Sequence, residues 1–189
     1  MSSFLLALGL IFAAELGDKS QLLVLAFAAR FPLKVVVPAV FVATLLIHLA
    51  SVSVGHAAGA VLPTFWTQLA SGLAFLVFGL WSLREDRHKA DGAVPARTWG
   101  PFLTIAASFF LSELGDKTML ASVAIASREQ SFLAVWLGST LGMFFADAIA
   151  LLAGYMLGSR LPANTLRYLS AAIFLITGAV VLATLFFRG

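Results

Sequence analysis

The six residues ELGDKS at Glu15–Ser20 recur as ELGDKT at Glu113–Thr118, 98 positions further on, and each copy sits inside a long apolar run. Beyond the motifs the correspondence continues at a separation of 99: Gly55 with Gly154, Gly59 with Gly158, Pro63 with Pro162, Ser71 with Ser170, Phe75 with Phe174 and Gly79 with Gly178. The chain therefore reads as two copies of one unit. A bilayer core takes about 20 apolar residues per helix, and the runs 4–29, 35–61, 66–83, 101–127, 132–158 and 166–187 give three helices to each copy. Three crossings are an odd number, so the second copy must run through the membrane upside down. The expectation is an all-α integral membrane protein of six transmembrane helices in two inverted three-helix repeats, 1–83 and 101–189. Such repeats are a transporter architecture, with the substrate site near the midplane between the halves. The linker 84–100 contains the polar stretch REDRHKADGAVPAR (84–97), whose length and Gly/Pro content suit a flexible connection.

Composition agrees. Of 189 residues 61% are hydrophobic and 11% charged, against about 25% charged in a soluble domain, and the mean hydropathy is +1.00. A water-soluble globule is excluded. The 12 Lys+Arg exceed the 9 Asp+Glu, yet the basic residues lie at the ends of apolar runs and form no patch for nucleic acid, so the lipid bilayer is the expected partner. Absence of Cys excludes a disulfide framework, a thiolate zinc site and a cysteine nucleophile, leaving oxygen, imidazole and thioether as metal ligands. The first residues lack a positive n-region and carry two acids within the apolar stretch, so they read as a first membrane helix rather than a cleaved signal. Arg30, Lys34, Arg84, Arg87, Lys89, Arg97, Arg160 and Arg167 would share one side, with Arg128 and Arg188 on the other. The basic side is cytoplasmic, which places the linker inside and both termini outside.

Glu15, Glu113, Asp147 and His48 fall near the middle of their runs, at about one depth. Five acids there (Glu15, Asp18, Glu113, Asp116, Asp147) and two lysines (Lys19, Lys117) would cost on the order of 20 kcal/mol uncompensated, so they face one another or a hydrated cavity. On a regular helix Glu15, Asp18 and Lys19 share a face, as do Glu113, Asp116 and Lys117. Ser20 and Thr118 would point away from it, so they bond back to a carbonyl or the helix is irregular after Gly17 and Gly115, which would release main-chain carbonyls as ligands. The bland alternative is two Glu to Lys pairs, i to i+4, that merely neutralise one another. Pairing still leaves three negative charges over, which protons or a bound cation must balance. A divalent cation that displaces protons from such a site, coupled to alternating access, gives antiport. Lys19 and Lys117 would hold the acids in place or swing toward the vacant site.

Carboxylates, Ser20, Thr118, the Gln21 amide and main-chain carbonyls suit Ca²⁺, Mn²⁺ or Mg²⁺ better than Zn²⁺ or Cu⁺. Gln21 corresponds to Met119 in the second copy, where a thioether would tilt the preference toward Mn²⁺, although a Met on a membrane helix usually packs. His48 and Asp147 would complete the site, carry protons, or form helix contacts; His56 and His88 read as bland.

At these residues the sequence resembles a known family. Two E-x-G-D-K/R-S/T motifs, each on the first helix of a three-helix repeat with a charged central loop, are similar to those of the Golgi and bacterial cation/proton exchangers once catalogued as an uncharacterised protein family. The resemblance covers essentially the whole chain and implies Mn²⁺ or Ca²⁺ transport in exchange for H⁺, with Glu15, Asp18, Glu113 and Asp116 as the cation-binding acids and no cofactor. The short loop and lack of a targeting extension resemble the bacterial members, thought to export manganese, so the expected location is a prokaryotic inner membrane. The alternatives are a passive cation channel and a basic amino-acid exporter. An intramembrane aspartyl protease, which would make the chain an enzyme, is remote. No Gly-x-Gly-Asp or Pro-Ala-Leu pattern occurs, and a lysine beside each Asp would keep it ionised where that chemistry needs a shared proton.

Overall fold

The computed structural model describes residues 2–84, 100–157 and 163–187, and among them every regular element is a helix. In chain order these are α1 (Ser2–Glu15), α2 (Lys19–Ala28), α3 (Leu33–Val61), α4 (Thr64–Arg84), α5 (Pro101–Glu113), α6 (Lys117–Ala126), α7 (Phe132–Leu157) and α8 (Ala163–Phe187). Their ends follow local chemistry. Gly100, at φ 81, turns the chain into α5, and Pro101 takes the first helical position, where no N–H is needed. Leu62 is extended ahead of Pro63 and ends α3, because a residue before proline is driven out of the helical region.

The apolar runs 4–29 and 101–127 are not continuous helices, as the hydropathy suggested. Each is broken inside its motif, α1 from α2 and α5 from α6, with Gly17 and Gly115 both at φ 79. The shared helical face expected for Glu, Asp and Lys therefore does not exist: each Glu ends one helix and each Lys begins the next. Among the described residues two helical stretches, Leu33–Val61 and Phe132–Leu152, are long and apolar enough to cross a membrane alone; Ser3–Glu15, Thr64–Leu80, Pro101–Glu113, Lys117–Ala126 and Ala171–Phe187 are shorter apolar helices.

Packing crosses between the two sides of the chain. α1 lies along α7 and α4 along α8, while α3 packs on both α5 and α6. Small residues permit the closest approaches. A Cβ on Gly138 would stand 2.5 Å from the Phe4 carbonyl oxygen, and one on Gly55 would stand 2.3 Å from that of Val123. The interior is an apolar cluster that includes Ile11, Phe27, Val52, Phe75, Phe109, Met143 and Phe174, and between membrane helices such side chains hold together by van der Waals packing rather than by removal from water. Ser3 donates to Glu129 at 2.5 Å, and His56, Thr64 and Arg128 line one cavity of ≈ 330 Å³. The start of α1, the α3–α4 turn and the α6–α7 turn thus share one end of the bundle. Of the basic residues used to orient the chain, Arg87, Lys89, Arg97, Arg160 and Arg188 lie outside the described residues, as do the side chains of Arg84 and Arg167 and nearly all of the linker 84–100.

Candidate functional site

Both motifs build the same turn. The Asp18 N–H donates to the Glu15 carbonyl and the Asp116 N–H to the Glu113 carbonyl, each at 3.1 Å. In the second copy Leu114 (φ −63, ψ 118) precedes Gly115 at positive φ, the pattern of a type II turn, which favours glycine at its third position. One backbone donor in each turn is taken from the next helix. Gly17 N–H donates to Gln21 Oε1 at 3.0 Å, and Gly115 N–H points at Met119 Sδ at 3.2 Å. Gln21 and Met119 thus occupy equivalent places. Gln21 also donates through Nε2 to the Ala146 carbonyl on α7, 3.3 Å away. With both ends of its amide committed, it braces the break against α7.

The hydroxyls expected to point away from the acids instead reach them. Ser20 Oγ donates to Glu15 Oε1, and Thr118 Oγ1 to Glu113 Oε2 at 3.3 Å. Five residues separate each pair, which on one regular helix is about 140° of rotation. The break brings them onto one side.

Nearly all of the candidate residues are buried. Glu15, Ser20 and His48 are fully buried, and Asp18, Gln21, Glu113, Asp116, Lys117, Thr118 and Asp147 retain no more than 7% exposure. Met119 is half-buried, and the Lys19 side chain lies outside the described set. Lys117 reaches beyond its own motif. Its Nζ lies 3.2 Å from Asp18 Oδ2, on the other copy of the motif. This contact runs across the molecule and joins the two copies of the motif.

The two long helices bring one further polar group to each motif. His48 on α3 has its Nδ1 3.0 Å from Ser122 Oγ on α6. Asp147 on α7 follows the carbonyl that receives Gln21, and neither of its carboxylate oxygens has a hydrogen-bond partner among the described residues. Glu15 Oε2 is likewise buried without one. As the side chains stand, no group of three or more His, Asp or Glu among the described residues could hold a metal ion. The arrangement gathers oxygen ligands and charge, with lysine occupying part of it.

Ser122, Thr44, Ser51, Ser139 and Thr140 were not among the expected site residues, yet all are buried. The signal for them was spacing. Thr44, His48 and Ser51 on α3, and Thr140 and Asp147 on α7, recur at three, four or seven residues and so line one face of each helix.

The chain matches the family described as divalent cation/proton antiporter GDT1 over residues 3–90 and 101–187, which takes in both motifs and leaves out 91–100, the C-terminal part of the linker. It is 32% identical to a Vibrio cholerae protein named "Putative manganese exporter", covering 99% of this chain and 92% of that one. A GDT1-like protein of Synechocystis is 28% identical, with 95% and 96% covered. The chloroplastic protein PAM71 of Arabidopsis thaliana is also 28% identical, over 96% of this chain and 57% of that protein. No solved structure matches.

Proposed function

The chain belongs to the GDT1 family of divalent cation/proton antiporters, membrane transporters rather than enzymes, and on that premise we propose that it exchanges Mn²⁺, with Ca²⁺ as a second substrate, for H⁺, expelling Mn²⁺ from the cytoplasm. The proposed frame is six membrane crossings. α1 with α2 and α5 with α6 each make one broken crossing, and residues 1–83 and 101–189 form inverted repeats joined by a cytoplasmic linker at 84–100. Both termini then lie outside the cytoplasm of a prokaryotic cell, a sidedness consistent with Ser3 and Glu129 meeting at one end of the bundle.

The observation that carries the reading is the pair of broken helices with matching internal bonds, Ser20 to Glu15 and Thr118 to Glu113, tied together by the contact of Lys117 with Asp18. Discontinuous membrane helices present turn carbonyls, hydroxyls and carboxylates together at mid-depth, where a transporter needs ion ligands. In the proposed cycle Glu15, Asp18, Glu113 and Asp116 bind the cation, with Ser20 and Thr118 holding the glutamates in place. Lys117 withdraws from Asp18 as the ion arrives and returns when it leaves. Protons make up the remaining charge of the ion-free site, and alternate exposure of the two states to the two sides couples the flows.

Purified protein in liposomes with an imposed pH gradient, tested with Mn²⁺, Ca²⁺ and Mg²⁺, is the deciding experiment. Gradient-driven Mn²⁺ flux that disappears in Glu15→Gln, Asp18→Asn, Glu113→Gln and Asp116→Asn is the expected result. Undiminished transport by both Asp18→Asn and Asp116→Asn would remove the assignment.

A further inference from the structure

We propose that His48 is a nitrogen ligand of the transported cation, set in the ligating tautomer by Ser122, and that it biases the exchanger toward Mn²⁺ over Ca²⁺. The proposal rests on the reading of the motif acids as the cation site and adds to it a residue outside both motifs.

The argument begins with one proton. Ser122 Oγ lies 3.0 Å from the Thr118 carbonyl, one turn back on α6, and 3.0 Å from His48 Nδ1. A serine hydroxyl has one hydrogen to give. A carbonyl can only accept, and with the hydroxyl hydrogen turned toward Thr118 the Ser122 oxygen is left to accept from the imidazole. In the arrangement we propose, Nδ1 carries the ring hydrogen, and in the neutral ring Nε2 is a bare lone pair. That nitrogen is buried, on a residue with no exposure, and it has no hydrogen-bond partner among the described residues. An imidazole fixed by a hydrogen bond at one nitrogen and open at the other is the form in which histidines bind metals. A histidine kept only for packing would gain nothing from an orphaned acceptor, since leaving a buried polar atom without a partner is costly.

His48 is also tied to the second motif. Thr118, whose carbonyl receives Ser122, gives its own hydroxyl to Glu113, so the imidazole hangs on the helix turn that positions that carboxylate. α3 packs on both α5 and α6, on either side of the second break. The corresponding place 99 residues later is Asp147, also buried and with both oxygens lacking hydrogen bonds. The first motif is thus braced on the helix that carries an extra carboxylate, and the helix that follows the second break is bonded to an extra imidazole. Ca²⁺ and Mg²⁺ take oxygen almost exclusively, whereas Mn²⁺ accepts imidazole as well. A single nitrogen in an otherwise oxygen-rich set favours Mn²⁺ without excluding Ca²⁺.

The test combines selectivity with a direct view of the bond. The protein is purified without a polyhistidine tag in a His56→Gln/His88→Gln background, leaving His48 as the one imidazole of its three histidines. Loaded with Mn²⁺ and read by electron spin-echo envelope modulation, it should show coupling to an imidazole ¹⁴N. His48→Asn keeps a donor near the Nδ1 position for Ser122 and removes Nε2. It should abolish the nitrogen signal and lower the ratio of Mn²⁺ to Ca²⁺ transport by about tenfold, in line with the effect of disturbing a metal's ligand shell. If the variant is not recovered folded, the background protein decides alone through its nitrogen signal. Absence of ¹⁴N coupling in the Mn²⁺-loaded background protein, or an unchanged transport ratio in His48→Asn, would overturn the proposal while leaving the motif acids in place. Those acids stand or fall separately by the Asp18→Asn and Asp116→Asn experiment.

Discussion

Lys117 Nζ lies 3.2 Å from the carboxylate of Asp18, a residue 99 positions earlier in the chain, and both side chains are almost wholly buried. Removing one member of a buried pair leaves the other charge uncompensated, which costs about 3–5 kcal/mol, whereas removing both can be nearly neutral. Asp18→Asn and Lys117→Met should each lower the melting temperature in detergent, and the double variant should recover most of the loss. Asp18→Asn and the double variant should also fail to transport, because Asp18 is a proposed ligand. An Asp18→Asn protein as stable as wild type would mean that the pair does not hold the two motifs together.

The turns make a second expectation. Gly17 and Gly115 both stand at φ 79, where a side chain adds about 1–2 kcal/mol of strain. No atom lies within 4 Å of a Cβ built on Gly115, so any penalty at that site comes from the backbone and not from crowding. Gly115→Ala should destabilise the protein and abolish cation transport by favouring a continuous helix. Gly9→Ala is the control: it sits within α1 with open space around it, and alanine is the better helix former. Equal effects of the two substitutions would contradict this account.

The repeat was legible because the motif letters are nearly identical in both copies, and the all-helical character followed from apolar runs too long for strands. The breaks were harder to see. A lone glycine in a helix costs only about 1 kcal/mol, so hydropathy reads straight through Glu15–Ser20. The hint in the sequence was that Ser20 and Thr118 would point away from the acids on a regular helix, which left either a bond back to a carbonyl or an irregularity after Gly17 and Gly115. The Lys117 contact with Asp18 was hidden for the opposite reason, since Glu113 offers a local partner at ideal i, i+4 spacing. Nor could sequence alone show that Gln21 spends its amide on Gly17 and Ala146, because the second bond joins elements 125 residues apart.

Met119 gives a third expectation, and here the geometry argues against a metal-binding role. Its sulfur faces the Gly115 N–H at 3.2 Å, the position that the Gln21 carbonyl oxygen takes toward Gly17. Thioether sulfur is a weak acceptor, so Met119→Gln should strengthen the second turn by on the order of 0.5–1 kcal/mol, the net worth of an ordinary hydrogen bond. The ratio of Mn²⁺ to Ca²⁺ transport should be unaltered. Loss of Mn²⁺ preference in Met119→Gln would instead make the sulfur a ligand.

Sidedness is open to a direct check, because a chain without cysteine accepts single reporter thiols freely. In intact cells an impermeant maleimide should label Gln130→Cys and spare Ala90→Cys, placing the α6–α7 turn outside and the linker inside. Gln130 is exposed and next to Glu129, the residue that Ser3 meets, so the same labelling pattern fixes the side on which the chain starts. Reversed labelling would overturn the proposed orientation.

Coupling decides between an exchanger and a passive pore. Five acids against two lysines leave the motif region with an excess of negative charge that either a divalent ion or protons must offset. Protons and metal therefore compete for the same carboxylate oxygens, and apparent affinity for Mn²⁺ should weaken as pH falls, since ligands must be deprotonated to bind. A Mn²⁺ gradient across a sealed liposome should then drive protons in the opposite direction, read by a lumenal pH dye, and the movement should vanish in Glu113→Gln. In a cell that keeps protons outside, the exchange runs outward for Mn²⁺, so deleting the gene should raise sensitivity to manganese. Mn²⁺ flux that is indifferent to pH and moves no protons would favour a channel that happens to share the fold, and would separate this chain from its family's antiport activity.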